Sequence, residues 1–355
     1  MNIGSTWNRT TSWTLICISL TTAAWCQKIT GLERTRAQSI LHDIAADVRK
    51  HYYDPKFHGL DWDEKVRETS QKIDQVDSGN KALLEIAALL DSLNDSHTLF
   101  VPPRPRVRHD YGWQAQLIGE RCYVVRVRPG SDAEAKGMKP GDEILGINGY
   151  APTRNTFAKI VYFFDELQPQ VTLRVVLRDP AGQERTVNIA AHITELQISH
   201  STFAGGRGIG DRIRDMDLSR LNRDREVEIG ADLLILKFPH FFFNEYKIDS
   251  LTGKARKHKT LVLDLRGNRG GSEDTLKYLL GSVFDKEIKI YDLVGRDERK
   301  PIVAKTHGHC FEGKLLVLVD SGSSSAAELF ARVVQIEKRG VVLGDASAGR
   351  VMRAE

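Results

Sequence analysis

Residues 321–334 read SGSSSAAELFARVV, a cluster of serines between an apolar stretch and an amphipathic one. Serines in this position can do two different things. A serine that opens a helix has its hydroxyl beside unpaired backbone N–H groups. These stabilise developing negative charge and so suit a nucleophile attacking a carbonyl. The same residues also spell a helix cap. Ser325-Ala326-Ala327-Glu328 has the form of a capping box, in which the serine hydroxyl accepts from the third helical amide and the glutamate reaches back. Leu329, Val333 and Val334 then share one helical face. Taken alone, the motif asks for nothing more than a cap. A second candidate is RGNRGG at residues 266–271, a glycine turn after an apolar run. Glycines there let backbone N–H groups approach a ligand closely, or simply turn a strand into a helix.

The elements around these motifs alternate. ADLLILKF reads as a strand, KTLVLDLRGNRGG as a buried strand ending in the glycine turn, and EDTLKYLLGSVF as a helix. KLLVLVD is a strand, AAELFARVVQIEKRG a helix and VVLGD a strand. That order predicts an α/β unit with a mainly parallel sheet covered by helices. Chemistry in such sheets gathers at the carboxyl ends of the strands. RGNRGG and SGSSS each follow a strand, so both are expected at the same edge.

Upstream the pattern changes. From residue 27 to 93 it is helical: Ile40, Ile44 and Val48 recur before Pro55 stops the first helix, and a polar helix is expected over residues 62–76. A third helix carries Leu83, Leu84, Ile86, Leu89, Leu90 and Leu93 and ends in NDSHTLFVPPRPR. Residues 111–195 read as strands and turns around CYVVRVRPGSDAEAKGMKPGDEILGINGYAP. Residues 205–228 are glycine-rich, then dense in Asp and Arg, and are expected to be a flexible insertion.

Composition narrows the function. The chain has 355 residues, 41% of them hydrophobic, enough for two or three domains. The net charge of +4 is mild, and the basic run KARKHK at residues 254–259 lacks aromatics, so nucleic acid is not the expected partner. No phosphate-cradling glycine motif is present, and Cys17, Cys26, Cys122 and Cys310 have no zinc-site spacing. No metal or organic cofactor is implied. The first 24 residues read as a signal peptide, with an apolar stretch shorter than the roughly 20 residues of a membrane span. A secreted or periplasmic protein is the expectation. Trp25 is too large to precede a lipidated Cys26.

Two resemblances follow from these motifs. The segment PGSDAEAKGMKPGDEILGINGY resembles a PDZ domain, which captures an extended peptide at a sheet edge. LDLRGNRGG, VLVDSGSSSAAELFARVVQ and VVLGDASAG together resemble the tail-specific, or C-terminal processing, serine peptidases. This resemblance implies a crotonase-like α/β peptidase core with a helical N-terminal part and an inserted β-rich PDZ domain. The expected organisation is a signal peptide at 1–24, the helical region at 27–105, the PDZ domain at 110–196, the insertion at 200–228 and the peptidase core at 229–355.

The family register selects Ser325 as nucleophile, Ala326 as one oxyanion donor and Gly271 as the other. Many members use a lysine about twenty-five residues downstream as base, but Arg350 stands there. Arginine stays protonated and cannot take the proton of a serine. The tricorn-like branch uses a Ser-His pair after an N-terminal helix, which maps onto Ser96 and His97. His240, in FPHFFF, is the competing histidine. That branch also uses a later glutamate, and Glu355, thirty residues after Ser325, is too early for it, so the expectation is a fragment or a naturally shortened member. The implied partner is a peptide or unfolded protein. A catalytically inactive peptide- or lipid-binding relative and a PDZ scaffold with a structural α/β domain are the alternatives.

Overall fold

The computed structural model describes residues 29–102, 107–195, 224–296, 298–307 and 309–352. The expected signal peptide, Cys17, Cys26 and residues 200–223 of the expected insertion lie outside the described residues. The N-terminal part is three helices. Helix α1 (Gly31–His51) begins at a reciprocal cap between Thr30 and Glu33 and ends before Pro55. Helix α2 (Trp62–Gln75) is capped by Asp61, and α3 (Gly79–Asp91) by Ser78. Leu41, Ala45, Trp62, Ile73, Ile86 and Leu90 meet in one buried cluster. Beyond α3 the chain turns at Asn94, with φ 50°, and so delivers Asp95, Ser96 and His97.

Strand β1 (Val107–Asp110) opens the PDZ domain. It is followed by β2 (Trp113–Ile118), β3 (Arg121–Val127), α4 (Asp132–Ala135), β4 (Glu143–Ile147) and α5 (Phe157–Tyr162), which runs on into a π turn at Phe163–Leu167. Strands β5 (Thr172–Arg178), β6 (Glu184–Ala190) and β7 (His192–Glu195) complete it. The antiparallel sheet has the order β2-β3-β4-β5-β6, while β1 and β7 pair with each other where the domain joins the rest. Its own core includes Val124, Met138, Ile144, Val175, Leu177 and Ile189.

The α/β unit starts at β8 (Arg225–Ile229), inside the stretch expected as an insertion. Its residues are all exposed, and pairing with β9 (Leu233–Lys237) makes it an antiparallel edge strand. Helix α6 (Glu245–Ala255), β10 (Thr260–Asp264) and α7 (Glu273–Gly281) follow. Then come a hairpin of β11 (Ile288–Val294) and β12 (Arg299–Ala304), β13 (Lys314–Val319), α8 (Ala326–Ile336) and β14 (Gly340–Gly344). The sheet order is β14-β13-β10-β9-β8, parallel from β9 to β14. Leu234, Leu263 and Val317 on the sheet pack with Ile248, Leu276, Phe330 and Val334 from the helices in one core. The expected parallel α/β unit is therefore present, and the β11–β12 hairpin is an addition that no motif announced. The charges of the basic run are taken up locally: Lys254 pairs with Glu226, Lys259 with Asp232 at 2.7 Å, and Arg256 donates to the His309 carbonyl at 3.0 Å.

Candidate active site

The serine cluster lies at the carboxyl end of β13, and its members differ in what they do. Ser321 Oγ donates to the Leu117 carbonyl of the PDZ domain at 2.6 Å. Buried Ser323 donates to the Leu265 carbonyl at 2.8 Å, and the Ser324 N–H donates to the Asn268 carbonyl at 2.9 Å. Ser325 stands apart. It has φ 55° and ψ −121°, outside the extended conformation from which a capping hydroxyl reaches helical amides. Only the return arm of the capping box forms: the Ser325 N–H donates to Glu328 at 2.9 Å, while the Glu328 N–H goes to the Ser325 carbonyl at 2.9 Å. A non-glycine residue in such a conformation costs about 1–3 kcal/mol, and strand-to-helix turns of this kind present nucleophilic serines.

The glycine turn after β10 faces this serine. A Cβ on Gly270 would come within 2.7 Å of Ser325 Cβ and 3.0 Å of the Ala326 nitrogen. Gly271, with φ 146°, needs its missing side chain for another reason: a Cβ there would lie 2.5 Å from the Phe241 carbonyl oxygen. Phe241 is zipped onto the turn, donating to the Gly270 carbonyl at 2.8 Å and accepting from the Ser272 N–H at 2.6 Å. Buried Asn268 splints the loop, accepting from the Gly270 N–H at 2.7 Å and donating to the Phe238 carbonyl at 2.6 Å. The Gly270 amide is thereby occupied. The Gly271 and Ala326 amides have no acceptor among the described residues. Two unengaged N–H groups flanking a serine are the donors an oxyanion requires.

Glu328 organises the other flank. Its buried carboxylate accepts from the Ser325 N–H, from Ser347 Oγ at 2.7 Å, and from the Gly349 and Arg350 N–H groups at 2.7 and 2.8 Å. The Ser325 N–H also donates to the Arg350 carbonyl at 2.9 Å. Arg350 is thus fixed beside Ser325 through its backbone. From the N-terminal part, His97 comes within electrostatic reach of Arg350 and Glu328. Burial pulls the imidazole below its usual range; Asp95 opposes, Arg350 adds to the lowering, and Glu328 opposes. Ser96 Oγ lies 2.9 Å from His97 Nδ1, and the His97 N–H donates to Asp95 at 2.8 Å. Thus Ser325, Ala326, Gly271 and Arg350 share one edge; Ser96 lies on the His97 ring, and among the described residues His97 makes no hydrogen bond to Ser325. His240 sits at the turn after β9, its ring 4.6 Å from that of Phe243 and its Nδ1 accepting from the Phe242 N–H at 3.3 Å.

Sequence reasoning missed Asn268, Asp320 and the full part played by Glu328. Asp320 accepts from the Gly267 and Gly322 N–H groups at 2.7 and 2.9 Å and so ties the two loops together. An Asp or Asn next to glycines at a strand end was the available signal. Lys237 closes the sheet edge nearby: burial lowers its ammonium, which stays 3.4 Å from Asp264 and bonds the Arg266 carbonyl. Among the described residues no group of three His, Cys, Asp or Glu side chains could hold a metal ion.

The fold is a parallel α/β unit preceded by an inserted PDZ-like β domain, with the serine turn at the edge of its sheet. Residues 234–353 match the model of peptidase family S41, and residues 107–175 match the PDZ domain. The chain carries an S41 peptidase domain and a PDZ domain, and its relatives are C-terminal processing and tail-specific proteases. The chloroplastic carboxyl-terminal-processing peptidase 3 of Arabidopsis thaliana is 21% identical over 345 residues, which cover 90% of this chain and 62% of that protein. The Arabidopsis peptidase 2 is 24% identical, covering 85% of this chain and 59% of its own length. The chain therefore spans about three fifths of the length of these curated relatives. The crystal structure of mature CPAF superposes with a TM-score of 0.66 at 15% identity, covering 90% of this chain and 85% of that one.

Proposed function

We propose that this chain is a secreted serine endopeptidase that hydrolyses amide bonds in unfolded or C-terminal peptides held by its PDZ domain. The observation that carries the reading is the Ser325 turn, strained, its hydroxyl not used as a cap, and flanked by the unengaged Gly271 and Ala326 amides. His97 takes the Ser325 Oγ proton as the oxygen attacks the scissile carbonyl carbon. The two amides hold the resulting oxyanion. His97 then passes the proton to the leaving amine, the C–N bond breaks, and water hydrolyses the acyl-enzyme by the same route reversed. Ser96 orients the imidazole. Arg350, permanently charged, has no part as base, which favours the Ser-His arrangement of the tricorn-like branch. A peptide added to the open edge of β2 would lie on the strand whose Leu117 carbonyl accepts from Ser321, next to the nucleophile loop.

A fluorophosphonate probe tests the reading, because it labels only an activated serine. Labelling of the parent chain at Ser325, with loss of both labelling and casein hydrolysis in a folded Ser325→Ala variant, is expected. Casein hydrolysis by Ser325→Ala at the parent rate sinks the assignment.

A further inference from the structure

The segment YYDPKFHG, residues 52–59, ends α1 and holds an uncommon backbone. Phe57 and His58 have φ 49° and 54°, followed by Gly59 at 83°. Residues with side chains stay in this region only where their surroundings over-determine them. Asp54 does this, accepting from the Lys56 and His58 N–H groups at 2.9 and 2.7 Å. The His58 ring is thereby turned towards the end of α3. Its Nδ1 lies 3.0 Å from the Leu93 carbonyl oxygen, and its Nε2 meets the Tyr53 hydroxyl. A carbonyl only accepts, so Nδ1 carries the proton and donates, and Nε2 of the neutral ring accepts from Tyr53. Leu93 precedes Asn94, the turn at φ 50° that delivers Asp95, Ser96 and His97. The ring thus grips the chain four residues before His97.

The same end of α1 is held from the α/β unit. Arg296, at the tip of the β11–β12 hairpin, donates to the Arg49 and Lys50 carbonyls at 2.7 and 3.0 Å and lies 3.5 Å from that of Tyr52. The last carbonyls of a helix have no partner within it, and a cation suits the negative end of its dipole. The body of the hairpin is tied beside the serine turn: the Tyr291 hydroxyl donates to Glu273, which opens α7 two residues after Gly271. The hairpin therefore reaches from the Gly271 turn to the end of α1. From there Tyr53 and His58 lead to Leu93 and the His97 turn.

His97 and Ser325 belong to separate parts of the fold, and proton transfer between them needs a heavy-atom approach of about 3 Å. A misplacement of about 1 Å costs about a hundredfold in rate. We propose that Arg296 and His58 are positioning residues, which with Tyr53 form a brace that fixes His97 relative to the Ser325 turn. The brace rests on the peptidase reading above and adds the residues that place its base.

Two substitutions break the brace at different links. His58→Gly removes the ring and puts in a residue that accepts the φ of 54° without strain. Arg296→Gln removes the guanidinium from an exposed tip. Each should lower kcat about tenfold and change KM by less than about twofold. The acid limb of the rate profile should also move to higher pH, towards that of an ordinary histidine. The sign follows from what faces His97. Burial and Arg350 lower its imidazole, Asp95 and Glu328 raise it, and a loosened contact loses the burial, the largest of these. His58→Asn keeps a donor for the Leu93 carbonyl and tolerates positive φ, so it should recover most of kcat. The double variant of His58→Gly with Arg296→Gln should lose little more than either alone, because both open one brace. A fall in kcat with the limb unmoved, or losses that multiply in the double variant, would mark the two residues as separate supports of the fold and overturn the brace. Unchanged kinetics in both single variants would do the same. Fluorophosphonate labelling separates this failure from failure of the peptidase reading. With a parent chain labelled at Ser325, those results sink the brace alone. A folded parent left unlabelled sinks the peptidase reading and the brace with it.

Discussion

At the scale of single residues, Ser325 holds a backbone conformation that few side chains adopt. Its φ of 55° and ψ of −121° suit glycine, and its hydroxyl does not serve as the helix cap. Ser325→Gly is therefore expected to abolish hydrolysis and to stabilise the fold by about 1 kcal/mol, the reverse of the loss that a capping serine would show. Thermal melting of the two forms checks this; a lower melting temperature for Ser325→Gly would show that the serine side chain supports the fold. His97 supplies a second prediction. Its imidazole is held below its usual range, so the neutral, proton-accepting form persists to lower pH than in an ordinary histidine. The acid limb of the rate profile should have its midpoint below about 6.5. Removing Arg350, one cause of the lowering, should move that limb to higher pH. The sign carries over to stability. The unfolded chain binds this proton more readily, so acidification through the ordinary histidine range disfavours the fold. Kinetics from pH 4 to 9 on the parent and on Arg350→Met test the limb. A profile governed only by a group titrating above pH 8 would move the base to a lysine.

At the scale of elements, the two loops at the carboxyl edge of the sheet form one rigid unit. Asn268 is buried with both ends of its amide engaged, one on Gly270 and one on Phe238, and its carbonyl accepts from Ser324. Asn268→Ala leaves a buried donor, acceptor and small void, and should destabilise the chain by about 2–4 kcal/mol. Because the Gly271 amide depends on the same loop, kcat should fall more than KM changes. Chemical denaturation and steady-state kinetics read the two effects. Unchanged kcat in a measurably destabilised variant would show that the loop does not position an oxyanion donor. The helices behind these loops were readable in advance because their apolar spacing and caps are local. Helix α8 follows Ser325 where its apolar spacing places it, although the serine hydroxyl does not cap it. Strand β8 was not readable, because all its residues are exposed and only pairing with β9 makes them a strand.

At the scale of the whole molecule, polar contacts join the PDZ domain to the sheet edge that carries Ser325. Gln116 donates to Asp320 at 2.6 Å, Ser321 donates to Leu117, and the Gly119 N–H and Arg154 both reach Asp345, at 2.8 and 2.7 Å. Burial alone would raise the Asp345 carboxyl, but the Gly119 and Ala346 N–H groups and Arg154 outweigh it and hold the carboxyl below its usual range. A carboxyl lowered by folding stabilises the docked state above the ordinary carboxylate range, and that contribution is lost as pH falls through the lowered value. Asp345→Ala should therefore loosen the docking at neutral pH. Hydrogen exchange is expected to quicken at Gly119 and around Arg154 while the buried strands β10 and β13 stay protected. Unaltered exchange at Gly119 would show that Asp345 does not hold the domains together.

Local chemistry was enough to read the alternation of strands and helices, while the class of this protein came from the resemblance its motifs bear to a known family. Strand and helix periods, caps and glycine turns act over a few residues, so the parallel sheet, the PDZ segment and the loops bearing RGNRGG and SGSSS were all legible. The tertiary structure alone decided which glycine does what. Gly270 lies on Ser325, whereas Gly271 is pinned by Phe241 and keeps its amide unengaged. It also decided that Glu328 turns from cap partner into the anchor of residues 347–350. Those outcomes depend on groups far apart in the chain meeting at a distance of a few ångströms, and no periodicity within one segment encodes such a meeting.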